Sequence, residues 1–154
     1  MTTATATTGA SFVQAADLLA RHLTEHQLPP PASLTILTRE DGHSELTVQL
    51  CSDTLSRLAA DLLTWADTLT TITTAVWRPP RGELVHLSIT STLTGPAHTV
   101  ELDLFGGADY DPALFADLEP DQRRRATLAT LSTWANSAST DTGTPILDVH
   151  WGER

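Results

Sequence analysis

Two short segments, Leu34-Thr35-Ile36-Leu37-Thr38 and Leu46-Thr47-Val48-Gln49-Leu50, flank the stretch Glu40-Asp41-Gly42-His43. Their apolar and polar residues alternate, which places every second side chain on the same face of a strand. The Asp-Gly pair between them favours a tight turn. The pattern therefore predicts a β-hairpin and, built outward from it, an antiparallel sheet.

Helical spacing of apolar residues is found on both sides of this hairpin. Upstream, the spacing runs from Ser11 to about Gln27 and stops at Pro29-Pro30-Pro31, because proline cannot continue a helix. Downstream, a broad apolar face extends from Leu55 to Leu69, behind side-chain oxygens at Ser52-Asp53-Thr54 that suit a helix N-cap. One helix is therefore predicted before the hairpin and one after it.

The second half of the chain carries further strand patterns and one more helix. A threonine-rich, β-branched stretch and two alternating segments predict strands at 70–76, 85–93 and 100–104. The glycines and acids of residues 106–112 predict a loop. A last helix is predicted to begin near Glu119-Pro120-Asp121, where proline suits the first turn. Beyond it, Ile146–Trp151 is compatible with a further strand or a packed tail.

The predicted order of elements is α-β-β-α-β-β-β-α, with an optional strand at the C-terminus. Strands joined by short turns favour antiparallel pairing, and the Thr, Ser, Gln and His residues at alternate strand positions indicate one face in water. We therefore expect an α+β fold: a two-layer sandwich with an antiparallel sheet of about five strands and helices on one face.

Composition limits the class of protein. The 154 residues contain 9 basic and 19 acidic side chains, a net charge of −10, and all nine bases are arginine. A chain without lysine and rich in Thr, Ala and Leu is typical of GC-rich genomes such as those of actinobacteria. The Thr/Ala repeats of residues 1–9 predict a disordered tail, and residues 10–154 are expected to form a single globular domain. No membrane span or signal peptide is recognisable, so a cytoplasmic location is expected.

Direct nucleic-acid binding is not expected. The only basic cluster is Arg123-Arg124-Arg125, which the predicted helix would spread around its circumference. Gripping a phosphate backbone takes a stripe of several cations, and the net charge of this chain opposes it.

Two patterns suggest metal sites, and neither is sufficient. His22-Leu23-Thr24-Glu25-His26 has the H-x-x-E-H order of inverted zinc peptidases, but it lies in the last turn before three prolines and lacks a selected third ligand. Asp103 and Asp109-Tyr110-Asp111, around Gly106-Gly107, offer oxygen ligands for calcium without EF-hand spacing. We therefore predict no metal and no cofactor.

Nucleophilic chemistry has no recognisable motif either. No G-x-S-x-G elbow is present, and the single cysteine, Cys51, is interpreted as a small core residue. Tryptophan is enriched at interface hot spots. Trp77 at a strand end and Trp151 near the C-terminus are therefore candidate contacts with a protein partner.

The leading hypothesis is a small acidic, non-enzymatic interaction module of an adaptor, immunity or regulatory kind that binds a protein partner, preferentially a basic one. The alternative is a small-molecule or enzymatic pocket between sheet and helices. Its candidate residues are His86, His98, Glu101 and Asp103, which would meet across a hairpin if the register allowed. A homodimer through an edge strand or the open sheet face is compatible with both hypotheses.

Overall fold

The computed structural model describes the backbone of residues 4–137 and the side chains of residues 11–137. Within this part the chain is an α+β fold with three helices and one six-stranded sheet. The elements in chain order are α1 (Ala4–His26), β1 (Ser33–Thr38), β2 (Ser44–Leu50), α2 (Leu55–Ala66), β3 (Thr73–Trp77), β4 (Leu84–Thr94), β5 (Thr99–Asp109), β6 (Arg123–Ala126) and α3 (Leu128–Asn136). The predicted hairpin is confirmed as β1 and β2, and Gly42 in its turn has a φ of 84°.

The sheet is mixed, with the order β1-β2-β5-β4-β3-β6. β2 and β5 are parallel, and every other neighbouring pair is antiparallel. The predicted α+β fold is confirmed, and the expected number of about five strands fits roughly, with six observed. The expected antiparallel pairing is found for every neighbouring pair except β2 and β5. The reason is that α2 and the β3–β4 hairpin intervene, so that β5 returns beside β2 from a distant part of the sequence.

One face of the sheet is buried beneath the helices. The buried helix side chains Ala15, Leu19, Leu58, Leu62, Trp65, Leu131 and Trp134 belong to one core cluster with the inward strand residues Leu46, Val48, Leu87, Ile89, Leu102 and Leu104. Strand residues between these inward positions are more exposed, as in the alternating burial along β4 and β5. The other face of the sheet has no described helix packed against it.

α2 is the helix that covers the centre of the sheet. The Thr54 side chain caps it by accepting a hydrogen bond from the Arg57 N–H at 3.2 Å. Leu58 in the first turns is fully buried above Gly106 of β5, where any added Cβ would lie 2.3 Å from a Leu58 methyl carbon. β5 continues as a strand through Gly106 and Gly107 to Asp109. The loop predicted at 106–112 is therefore wrong for 106–109, and only 110–112 lie outside the strand.

The last helix begins later than predicted. Asp121 has a φ of 62°, which interrupts a helix started at Glu119, and residues 123–126 pair with β3 as the edge strand β6. α3 starts only after Thr127, whose hydroxyl accepts the Thr130 N–H at 3.1 Å. The optional strand at Ile146–Trp151 lies outside the described residues.

α1 is the longest described helix. Its backbone begins at Ala4, ahead of the Ser11 start indicated by the apolar spacing and inside residues 1–9, for which the sequence predicts a tail. No helix among residues 4–137 is both long and apolar enough to cross a membrane.

The close approach of α2 to β5 gives a first prediction. Gly106→Ala would force Leu58 out of its packed position, and overpacking of this kind costs about 1–3 kcal/mol in the free energy of unfolding. Gly107→Ala is the matched control, because its added methyl would meet nothing closer than the His86 ring at 3.9 Å. Urea unfolding of both variants checks the prediction, and equal losses of stability would contradict this packing.

Candidate functional site

The open face is the side of the sheet that no described helix covers. Register places its side chains in rows that cross the strands. In one row Glu45 of β2 is opposite Glu101 of β5, and Glu101 is opposite Thr92 of β4. In the next, Thr47, Asp103, Thr90 and Thr73 are successive neighbours. Functional side chains can therefore be placed here by register alone.

Three carboxylates, which we call the acidic row, lie on β2 and β5: Glu45, Glu101 and Asp103. They line a concavity of about 530 Å³, the acidic cavity, whose remaining walls are mostly threonine: Thr71, Thr73, Thr90, Thr92, Ser91 and Leu102. Arg39 pairs with Glu45 at 3.3 Å, whereas no described cation lies within ion-pair distance of Glu101 or Asp103. The acidic cavity is thus lined by like charges that are incompletely neutralised.

Asp103 has a shifted pKa. Burial raises its pKa above the ordinary aspartate value, and the nearby Glu45 carboxylate adds to the rise. The Arg123 guanidinium acts in the opposite direction without cancelling it. A cation bound in the acidic cavity would favour the ionised form of Asp103.

A second, smaller concavity adjoins the acidic cavity and shares Asp103 with it. This aromatic cleft has a volume of about 220 Å³ and is lined by Trp77, His86, Ser88, Asp103, Phe105 and Arg123. The His86 ring stacks on Phe105 with centroids 5.8 Å apart and an interplanar angle of 9°. Trp77 meets the same imidazole edge-on at 5.4 Å.

The two charged groups of the aromatic cleft, Arg123 and Asp103, come from distant elements. Arg123 lies on the edge strand β6 and reaches across β3, donating a hydrogen bond to the Ser88 hydroxyl at 3.4 Å. Burial lowers the pKa of His86, so this imidazole is neutral at pH 7. The cleft therefore combines a neutral aromatic floor with one cation and one carboxyl group.

The structure brings together three of the four predicted ligand-binding residues. His86, Glu101 and Asp103 are on the open face, and two of them line the aromatic cleft. His98 is in the turn between β4 and β5, where its carbonyl accepts the Gly95 N–H. Eight residues of β4, about 27 Å of extended chain, separate that turn from His86, so the predicted approach of the two histidines does not occur. Both ring nitrogens of His98 are buried without a partner among the described residues.

Trp77, predicted as a contact with a protein partner, is half-buried and forms one wall of the aromatic cleft. Trp151 lies outside the described residues. Sequence patterns do not identify Phe105 and Arg123 as site residues. Alternation from Leu102 and Leu104 already places Phe105 on the solvent side, and a large aromatic there is the signal that could have identified it.

The H-x-x-E-H pattern has a structural use at the end of α1. His22 Nε2 is 2.8 Å from the Thr68 hydroxyl, which ties α1 to the segment after α2, and the His22 and His26 rings are 4.6 Å apart. Among the residues whose side chains are described, no three His, Cys, Asp or Glu groups are arranged to hold a metal ion.

Cys51, interpreted as a core residue, is exposed just after β2.

The lowered pKa of His86 predicts how acid affects stability. The pKa of His86 in the folded chain lies below the unfolded value of 6.5, so between these two values the unfolded chain binds more protons than the folded chain. The contribution of His86 to stability is therefore fully present above pH 6.5 and is lost as the pH drops through the folded pKa. His86→Phe keeps a ring on Phe105 and removes this titration. We expect a shallower loss of unfolding free energy on acidification from about pH 7 to about pH 5. An NMR titration midpoint for wild-type His86 at or above 6.5 would contradict the argument.

Facing like charges give a further prediction. Glu101→Gln removes the carboxylate opposite Glu45, and we expect the free energy of unfolding to rise by roughly 0.2–1 kcal/mol at low salt. Added salt should shrink the gain, because exposed charges are screened. Urea titrations at two ionic strengths measure this, and a loss of stability would show that Glu101 makes a favourable contact instead.

Comparison with known proteins adds no assignment to this geometry: no family model, curated protein or solved structure matches the chain.

Proposed function

We propose that this protein is a non-enzymatic interaction module, of an adaptor, immunity or regulatory kind, whose open face binds a basic segment of a protein partner. The observation that carries the proposal is the acidic row, in which Glu45 and Glu101 are direct neighbours in register. Like charges placed opposite each other on a sheet destabilise it. A sequence under selection for stability alone would replace one of them, and departures of this kind are typical of functional surfaces.

The shape of the open face supports a side-chain ligand. The acidic cavity is wide enough for a lysine or arginine side chain, and its threonine walls supply further hydroxyl acceptors. A guanidinium or ammonium group there would lie against Glu101 and Asp103, which have no ion-pair partner among the described side chains. Charge-assisted hydrogen bonds to carboxylates are among the strongest that a surface can offer.

The aromatic cleft adds to this binding surface a place for one more side chain of the partner. Because Asp103 borders both concavities, a segment lying along the sheet can fill the acidic cavity and the cleft with neighbouring residues. Trp77 and Phe105 offer faces to an apolar side chain or to a cation. Their combination with the acidic row favours a peptide that carries basic and apolar residues in alternation.

The charge of the whole chain fits this role. A net charge of −10 attracts basic proteins over several ångströms and raises the rate of encounter. The same charge repels phosphate backbones, so the partner in this proposal is a protein and not a nucleic acid. A cytoplasmic location is part of the proposal.

A second candidate function is a small-molecule site in the aromatic cleft. The observation that favours it is the meeting of His86 and Asp103 in one concavity of about 220 Å³ on the open face. Native mass spectrometry of protein purified from its own host separates the two functions. A bound small molecule that Phe105→Ala removes would favour this candidate over the peptide surface.

Binding to a basic probe tests the leading proposal. A hexa-arginine peptide is expected to bind at low salt, and Glu101→Gln/Asp103→Asn to weaken binding roughly fivefold, since each exposed charge pair contributes about 0.2–1 kcal/mol. Calorimetry provides the measurement. The matched control is Asp17→Asn/Asp67→Asn, which makes the same change in net charge at two exposed positions away from the open face.

Equal weakening by both double variants would reduce the effect to net charge and overturn the proposed surface. The same proteins then serve as baits in nuclease-treated lysate of the host. A basic protein retained by wild type and by the control, and lost from the open-face variant, is the expected result. Retention by all three baits would place the partner elsewhere on the chain.

A further inference from the structure

The two edges of the sheet are built differently. β6, one edge, has the sequence Arg123-Arg124-Arg125-Ala126, and its charges discourage the addition of another strand. β1, the other edge, is Ser33-Leu34-Thr35-Ile36-Leu37-Thr38 and carries neither charge nor proline. Only the β6 edge therefore has the protection that natural sheets give to edges meant to stay free.

β1 also exposes apolar side chains. Leu34 is 43% exposed and Leu37 is 52% exposed. The adjoining part of α1 adds Phe12 at 49% and Val13 at 64%. Ser11, directly before them, hydrogen-bonds to Gly42 and Ser44 at the β1–β2 turn, which places these residues beside the hairpin. Four of the seven large exposed apolar side chains in the described chain thus lie along one edge.

Only one side of the β1 backbone is hydrogen-bonded to a described strand. Among the described residues it pairs with β2 alone, so the N–H and C=O groups on its other side have no strand partner. An edge of this kind accepts another strand with well-formed hydrogen bonds. Alternate side chains then decide which strand fits.

We propose that the β1 edge pairs antiparallel with β1 of a second copy of this chain, joining two six-stranded sheets into one. A two-fold axis perpendicular to the sheet makes the contact isologous and keeps both helical layers on the same side. The helical faces of the two sheets lie on the same side only when the numbers of two directly opposed β1 residues add up to an even number. The register with Thr35 opposite its own counterpart satisfies this condition and places Leu34 opposite Ile36 twice.

Charge is the reason to choose a second copy as the occupant. A chain of net charge −10 repels its copies over most of its surface, but residues 27–38 carry no Asp, Glu, Lys or Arg. In the antiparallel register, the Arg39 residues that follow β1 lie at opposite ends of the pair and do not face each other. This edge is therefore neutral, exposes leucine side chains and is complementary to itself.

The helix residues are needed for the area of the contact. Stable interfaces bury about 800 Å² per partner, and a six-residue strand supplies hydrogen bonds but little surface. Phe12 and Val13 extend the contact onto the helical layer. The two open faces then lie side by side, which would let the dimer bind a repeated basic segment with avidity.

Sedimentation equilibrium of the full chain from low to high micromolar concentration tests the proposal. Wild type is expected to be dimeric at the upper end, and Leu34→Lys to shift the equilibrium at least tenfold toward monomer. Leu34 is 43% exposed in the monomer, so a lysine at this position can reach solvent and the variant should fold, which circular dichroism checks. Leu114→Lys, at an exposed leucine in the β5–β6 connection, is the matched control and should dimerise like wild type.

A cross-link fixes the register independently. In a Cys51→Ser background, which removes the exposed native thiol, Thr35→Cys should form an intermolecular disulfide under mild oxidation, whereas Leu114→Cys should not. A monomer at every concentration would overturn the proposal and leave the edge to a different segment or protein. A dimer unaffected by Leu34→Lys would also overturn it. Neither result depends on the acidic row.

Discussion

The parallel pairing of β2 with β5 is the contact on which the rest of the molecule depends. It joins the N-terminal hairpin to the four strands that follow α2, and no other strand pair among the described residues links these two parts of the sheet. On the buried side it sets Leu46 beside Leu102 and Val48 beside Leu104. On the open face the same register sets Glu45 beside Glu101. The core and the acidic row are therefore two consequences of one alignment.

Because the core and the acidic row share one register, the repulsion between Glu45 and Glu101 is difficult to avoid. A shift of β2 by one residue would move its apolar side chains to the open face, so the register cannot change to separate the carboxylates. Only substitution could remove the repulsion. Charged neighbours that are retained under such a constraint lower stability and create an electrostatic surface, as binding sites commonly do. Burial is the main cause of the raised pKa of Asp103, and the Glu45 charge adds to it.

Several local structures follow from the sequence, and others follow from packing. The β1–β2 hairpin and α2 are confirmed because alternation, helical spacing, a turn and a cap agree at those positions. Composition predicts a loop at Gly106. In the structure Gly106 is in β5, because the absence of a side chain lets Leu58 approach the strand. The sequence predicts a helix for the arginines at 123–125, but they pair with an edge of β3 that no local pattern reveals.

The candidate site shows the same division. Outward positions of β4 and β5 can be read from alternation, which is how His86, Glu101 and Asp103 were predicted. Their association with Glu45, Trp77 and Arg123 could not be predicted, because those residues belong to strands separated by helices and loops. His98 does not meet His86, because the register of β4 with β5 pairs His86 with Gly107 and leaves His98 in the turn.

The sequence by itself determined the class of this molecule: an acidic α+β chain, its N-terminal hairpin, its helix over the sheet and one polar sheet face. These features follow from the periodic spacing of apolar side chains, which can be recognised within a few neighbouring residues. Only the tertiary structure decided that β5 lies parallel to β2, that carboxylates meet across that boundary and that β1 is an edge strand of the described sheet. Strand order depends on the joint burial of distant apolar faces, and that balance of free energy is not encoded in any single segment.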